Sequence, residues 1–202
     1  MKILVLDNYD SFTYNLVQYI TEITGTTPSV FRNDKISLDA VDDYDCIVLS
    51  PGPGLPSEAG IMPELIKRYA PTKRIFGVCL GQQAIAEAFG GTLYNLPKVY
   101  HGIATPIRIV DKTEVIFKNV PQEIVVGRYH SWAVVRETLP LDLAITAVDT
   151  EGVIMALSHV EYDVKGVQFH PESIMTDYGK QILRDFFQPT AVAKGQAIEY
   201  AF

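Results

Sequence analysis

Apolar residues follow one rhythm up to about residue 91 and another beyond it. In the first part, short unbroken apolar runs alternate with helix-spaced segments. Lys2–Asp7 is rich in Ile, Leu and Val, as a strand buried on both faces should be. Residues 11–24 place Phe12, Leu16, Ile20 and Ile23 near helical spacing, with Ser11 as the candidate N-cap and Gly25 as the stop. Pro28–Arg32 and Asp45–Ser50 read as strands, and Pro51-Gly52-Pro53-Gly54 as a loop that neither helix nor strand accommodates. Residues 63–70 read as a helix with Pro63 near its start, Arg74–Val78 as a strand, and Leu80–Phe89 as a helix closed by Gly90-Gly91. Later, Thr105–Val110, Val115–Phe117, Glu123–Val126, Ala133–Val135, Leu143–Val148, Val153–Ser158 and Gly166–His170 read as strands joined by short polar turns. Residues 176–187 form a last amphipathic helix with Ile182, Leu183, Phe186 and Phe187 apolar.

The β-α-β-α order predicts an α/β fold: an open, mostly parallel sheet with helices on both faces, plus a smaller antiparallel sheet in the second half. The length of 202 residues and the absence of any repeat or linker point to one domain over 1–190, with 191–202 as a C-terminal tail. Charge removes several function classes. Lys and Arg total 17 against 24 Asp and Glu, with no basic run, so no nucleic-acid surface is expected. The apolar runs are too short to span a membrane, and MKILVLDNYD lacks the apolar length of a secretory leader. The two cysteines, Cys46 and Cys79, lie in different apolar segments, which predicts free thiols and a cytoplasmic setting.

Cys79 carries the first chemical signal. Gly77-Val78-Cys79-Leu80-Gly81 has the glycine-flanked layout of a nucleophile elbow, with Cys in place of Ser. A sharp strand-to-helix turn leaves no room for large neighbours and pushes the side chain past the sheet edge, where ligands bind in open α/β folds. The amides opening the next helix point at the sulfur and favour thiolate, the reactive form. Cys46, mid-strand with no glycine beside it, is expected to be structural.

A cysteine nucleophile needs a base, and the base an orienting group. His170 ends an apolar run and has Glu172 two residues on; His159 has Glu161 in the same relation. Strands over 153–159 and 165–170 would form a hairpin, placing the two histidines at opposite ends, about 15–20 Å apart. His170 is chosen because Pro171 stops its strand at an edge where a site can form. His159 is expected to be a solvated turn residue. His101 reads as structural or substrate-adjacent, and His130, within Arg128-Tyr129-His130-Ser131-Trp132, as part of either a pocket wall or an ordinary surface turn. Ser50-Pro51-Gly52-Pro53-Gly54 follows a strand at the same edge; a stiff loop with exposed amides suits an oxyanion hole, and a plain tight turn accounts for the loop equally well. It lacks the GK[ST] ending of a phosphate loop.

Four motifs in order, SPGPG at 50–54, GVCLGQQ at 77–83, RYHSW at 128–132 and GVQFHPES at 166–173, resemble the class I (triad) glutamine amidotransferases over nearly the whole chain. The opening DNYDSFTYN at 7–15 resembles the small subunits of anthranilate and aminodeoxychorismate synthases. The resemblance implies a flavodoxin-like fold of that family, no cofactor and no metal. It implies Cys79 as nucleophile, His170 as base and acid, Glu172 as its orienting carboxylate, and the amides of Gly52 and Leu80 as oxyanion hole. Gly52, Pro53, Gly54, Gln83, Ser131 and Trp132 would line a pocket for L-glutamine. The implied partner is a chorismate-using synthase large subunit that receives ammonia through a closed passage. Gln82 stands where the family usually has His, and Trp132 where a smaller apolar residue is usual.

Two rivals remain from the residues themselves. A thiol hydrolase on the same scaffold would need no partner. A non-catalytic flavodoxin-like module would use Asn8–Thr13 as an anion-binding loop at a helix N-terminus.

Overall fold

A computed structural model describes residues 1–188 of the chain. The expected 191–202 tail lies outside the described residues. β1 (Ile3–Asp7) is buried throughout, and its alternate residues enter two cores: Ile3 and Val5 on one side, Leu4 and Leu6 on the other. A strand with no solvated face belongs in the middle of a sheet. α1 (Thr13–Thr24) leads to β2 (Ser29–Arg32), which lies parallel to β1, and β3 (Cys46–Leu49) takes its other side, also parallel. α2 (Met62–Tyr69) then leads to β4 (Arg74–Val78), parallel to β3, and α3 (Leu80–Ala88) starts directly from its end.

The second half adds β5 (Leu93–Asn95), β6 (Ile103–Ile109), β7 (Glu123–Arg128), β8 (Trp132–Val134), β9 (Leu143–Asp149), β10 (Ile154–His159), β11 (Val164–Val167) and α4 (Gly179–Phe187). One mixed sheet runs in the order β2-β1-β3-β4-β11-β10-β9-β6-β7, and β5 with β8 forms a separate two-stranded antiparallel sheet. β11 lies parallel to β4 and antiparallel to β10, so the parallel half and the antiparallel half are joined there. α1 and α4 cover one face, through Leu16, Ile20, Ile182, Leu183 and Phe186. α2 and α3 cover the other, through Met62, Leu65, Ile66, Ala84 and Ile85.

Several expected elements differ. Val115–Phe117 is a 3₁₀ turn rather than a strand: the Glu114 carboxylate accepts the Ile116 amide, and Ile116 and Phe117 are buried in the core that also takes α4. Leu93–Asn95 is an additional strand. The expected strand Gly166–His170 instead spans Val164–Val167, because only those residues continue the parallel ladder opposite Ile75–Val78. Ser11 does not cap α1. Phe12 occupies the cap position, and the Asp10 carboxylate accepts the Phe12 amide at 2.7 Å. Gly25 does end that helix, in the left-handed conformation with φ 69°.

The loops after β1, β3, β4 and β11 leave the sheet at the carboxyl edge of its parallel strands. They carry Asn8, the Pro-Gly loop, Cys79 and His170.

Candidate active site

Cys79 sits at the junction of β4 and α3 with φ 53° and ψ −100°, backbone that a non-glycine residue adopts only under strain. The turn is closed on both sides. A Cβ on Gly77 would lie 2.5 Å from the Gly81 carbonyl carbon, and one on Gly81 would lie 2.7 Å from the Leu49 carbonyl oxygen. The Cys79 N–H donates to the Val167 carbonyl at 2.8 Å, tying the turn to the end of β11. Leu80 opens α3, so its N–H has no acceptor within that helix.

Past Val167 the chain turns across the site instead of running on as a strand. The Gln168 N–H donates to Met155 O, and the His170 N–H to Gly127 O. His170 Nδ1 then meets Glu172 Oε1 at 2.7 Å, both side chains being buried. The pairing agrees with the sequence reading, but the cause is different. Strand alternation does not set it, because a turn centred on Pro171 and Glu172, closed by the Ser173 N–H donating to the His170 carbonyl at 3.1 Å, brings the carboxylate back. The Tyr129 ring lies 4.7 Å from the His170 ring, closing that side against water. Burial alone would push His170 toward its neutral form. The Cys79 thiol and the Glu172 carboxylate outweigh that and hold the imidazole well above the usual histidine range. His170 Nε2 makes no conventional hydrogen bond among the described residues, which leaves it available to the thiol side of the ring.

The Pro-Gly loop is held from beneath by Asn8. The Asn8 amide N–H donates to Ser50 Oγ at 2.8 Å, Asn8 Nδ2 donates to the Ser50 carbonyl at 2.8 Å, and Asn33 Nδ2 donates to Asn8 Oδ1 at 3.0 Å. A cavity of about 150 Å³ opens beside the sulfur, lined by Gly52, Pro53, Gly54, Cys79, Leu80, Gln83, Tyr129, His130, Ser131 and Trp132. All the residues expected to line a pocket are there. That volume is below the roughly 300–1,000 Å³ that takes drug-sized ligands, so it suits a small molecule. A second cleft touches Cys79 and His170 from the other side, with Asp10, Phe12 and His101 on its walls.

The remaining residues sort cleanly. Cys46 is fully buried, and burial pushes its thiol up to about 12, which leaves it inert. His159 is not a solvated turn residue. It is buried under the rings of Phe89 and Tyr162 at 4.6 and 4.2 Å, and its Nδ1 accepts the Glu161 and Tyr162 amides. Gln82 is fully buried against Gly166, its amide without a hydrogen bond among the described residues, so it lies behind the site and not in it. The α1 N-terminus is already occupied by Asp7 and Asp10, which argues against an anion there. No group of three or more His, Cys, Asp or Glu among the described residues is placed to hold a metal ion. No described helix is long and apolar enough to cross a membrane.

Two contributors escaped the sequence reading. Gln168 Nε2 lies 3.5 Å from Cys79 Sγ. Arg128, only 1% exposed, pairs with Asp149 at 2.7 Å and donates from Nε to His130 Nε2 at 3.0 Å. Position two before His170 is the only signal for Gln168. For Arg128, which ends β7, the RYHSW motif marks the position but not its pairing with Asp149.

His130 supplies a pH test. Burial and the neighbouring Arg128 cation lower it to about 4, so it stays neutral in the fold while an unfolded chain protonates near 6.5. Its contribution is therefore fully present above pH 6.5 and is lost as pH falls toward 4. Relative to His130→Asn, the unaltered chain should lose about 3 kcal/mol of stability over that window. Denaturant melts at a series of pH values read this directly, and parallel curves for the two proteins would refute it.

Residues 4–189 match the family model described as glutamine amidotransferase class-I. The aminodeoxychorismate/anthranilate synthase component 2 of Bacillus subtilis is 48% identical over 92% of this chain and 95% of its own length. The aminodeoxychorismate synthase component 2 of Escherichia coli is 45% identical over 91% of this chain and 98% of its own. The crystal structure of a Thermoplasma acidophilum protein described as a GMP synthase component superposes with a TM-score of 0.82 at 29% identity, covering 92% of each chain. A cysteine elbow, a carboxylate-held histidine and a small cavity beside the sulfur thus sit within a match spanning nearly the whole sequence, and the chain belongs to the class I glutamine amidotransferases.

Proposed function

We propose that this chain hydrolyses L-glutamine through a Cys79 thioester and hands the ammonia to a chorismate-using synthase. The observation that carries it is Cys79 at a strained elbow, beside a His170 held by Glu172, at the mouth of a cavity fit for a small amide. The names of the relatives support the synthase class. We take residues 1–190 as one such unit, in keeping with the single main sheet and the family match.

Glutamine binds with its side-chain amide over the sulfur. His170 takes the thiol proton, so that the pair rests as thiolate and imidazolium, and Sγ then attacks the amide carbon, forming the C–S bond. The oxyanion lies against the amides of Gly52 and Leu80. His170 returns the proton to the amide nitrogen, the C–N bond breaks, and ammonia leaves. Water, deprotonated by His170, attacks the thioester, and glutamate departs with the thiol restored. Glu172 keeps the ring oriented and favours the imidazolium that forms in each half. Ammonia released to bulk water becomes ammonium and is no longer nucleophilic, so a partner with a closed passage is expected.

The pathway is read from activity. Glutamate release is measured for the chain alone and with an anthranilate-forming or an aminodeoxychorismate-forming large subunit. Stimulation by one partner assigns it to that synthase, and stimulation by both makes it a shared subunit. No turnover with either would overturn the proposal. A second reading, service to a guanylate-forming synthase, draws only on the Thermoplasma likeness at 29% identity.

A further inference from the structure

A continuous hydrogen-bonded chain connects a buried ion pair to the reactive sulfur. Arg128 Nη1 holds Asp149 at 2.7 Å, and Arg128 Nε donates to His130 Nε2 at 3.0 Å. His130 Nδ1 lies 2.8 Å from the Trp132 carbonyl. Gln83 Nε2 donates to that same carbonyl at 3.0 Å and to Gln168 Oε1 at 3.2 Å. Gln168 Nε2 lies 3.5 Å from Cys79 Sγ.

The direction of every link is forced. A guanidinium only donates and a backbone carbonyl only accepts. His130 must therefore accept at Nε2 and carry its proton on Nδ1. Gln83 must turn its NH₂ toward Trp132. Its other N–H then faces Gln168, which must answer with its oxygen. That leaves the Gln168 NH₂ aimed at the sulfur. An amide seen alone can be built either way round, but this one is fixed by its neighbours. Gln168, Gln83, His130 and Arg128 are all buried.

We propose that Gln168 is a further catalytic residue, whose side-chain N–H stabilises the Cys79 thiolate before attack and again when the thioester is hydrolysed. The inference rests on Cys79 being the nucleophile proposed above. Hydrogen bonds to charged groups are the stronger kind, and sulfur becomes a good acceptor only when ionised. The bond therefore favours thiolate over thiol. The other charged or titratable groups near the sulfur are His170 with Glu172 behind it, Tyr9 and Asp10 on the β1–α1 loop, His101, and Tyr129 with His130 on the β7–β8 connection. None of them is altered by the substitutions below.

The test is the pH dependence of Cys79 alkylation by iodoacetamide, which needs neither glutamine nor a partner. A failure of glutamine turnover is thus distinguishable from a failure here, and buried Cys46 does not react. Gln168→Met keeps length and loses the donor; Gln168→Glu keeps shape and replaces the donor with an anion. The alkylation midpoint should rise by about one pH unit in the first and further in the second, with kcat for glutamine falling about tenfold or more. KM should change much less than kcat. In the unaltered protein, the Gln168 side-chain amide resonances should titrate with the same midpoint as alkylation, a readout that needs no variant to fold. Midpoints unchanged in the folded variants, or amide resonances that do not move with the thiol, would overturn the proposal.

Discussion

Cys79→Ser should abolish glutamine-dependent product formation by the assembled synthase, by about 10⁴-fold or more, while leaving ammonia-dependent formation intact. Serine fits where cysteine stands: the elbow is closed by Gly77 and Gly81, and neither is crowded by an oxygen in place of sulfur. The fold and the docking surface survive, and the nucleophile does not. A hydroxyl beside His170 remains protonated where a thiol ionises, so the first bond is not made. Co-elution of the variant with the partner separates a lost nucleophile from a lost assembly. Substantial glutamine-dependent activity in this variant would remove Cys79 from the proposed role.

Gly52→Ala should cost about 10²–10³ in kcat/KM for glutamine, the usual penalty for losing one oxyanion donor. The reason is steric and local. A Cβ at Gly52 would lie 2.4 Å from the Asn8 carbonyl oxygen, 2.6 Å from Asn8 Cβ and 3.1 Å from Leu80 Cδ2. Asn8 cannot yield, since Ser50 and Asn33 hold it through three hydrogen bonds. The loop must move instead, and the Gly52 amide moves with it. Alkylation of Cys79 by iodoacetamide develops no oxyanion and should persist at a comparable rate. A variant with normal glutamine turnover would show that the loop does not supply the donor.

The parallel half of the fold was legible because β1, β3 and β4 are buried on both faces, while α1 and α2 each bury a single stripe. Lys2–Asp7 and Arg74–Val78 have only one good solution, and the glycines around Cys79 announce a turn that other residues would obstruct. The second half was less legible for the same physical reason turned around. Val115–Phe117 is three apolar residues, too short for periodicity to separate a strand from a buried turn. Leu93–Asn95 pairs only with the short β8 and carries no distinct pattern. His159 and Glu161 imitate His170 and Glu172 in sequence, yet aromatic rings bury His159 and backbone amides occupy its Nδ1. The chain from Arg128 to Gln168 joins residues far apart in sequence, and only the fold brings them into contact.

The most direct test of the central claim is to quench the chain, with an active partner and labelled glutamine, in acid during turnover and map the labelled peptide. A γ-glutamyl thioester on the peptide that carries Cys79, cleaved by hydroxylamine and lost when Cys79 is alkylated beforehand, is the predicted result. A glutamyl adduct on another residue, or undiminished glutamate release from the alkylated chain, would contradict it.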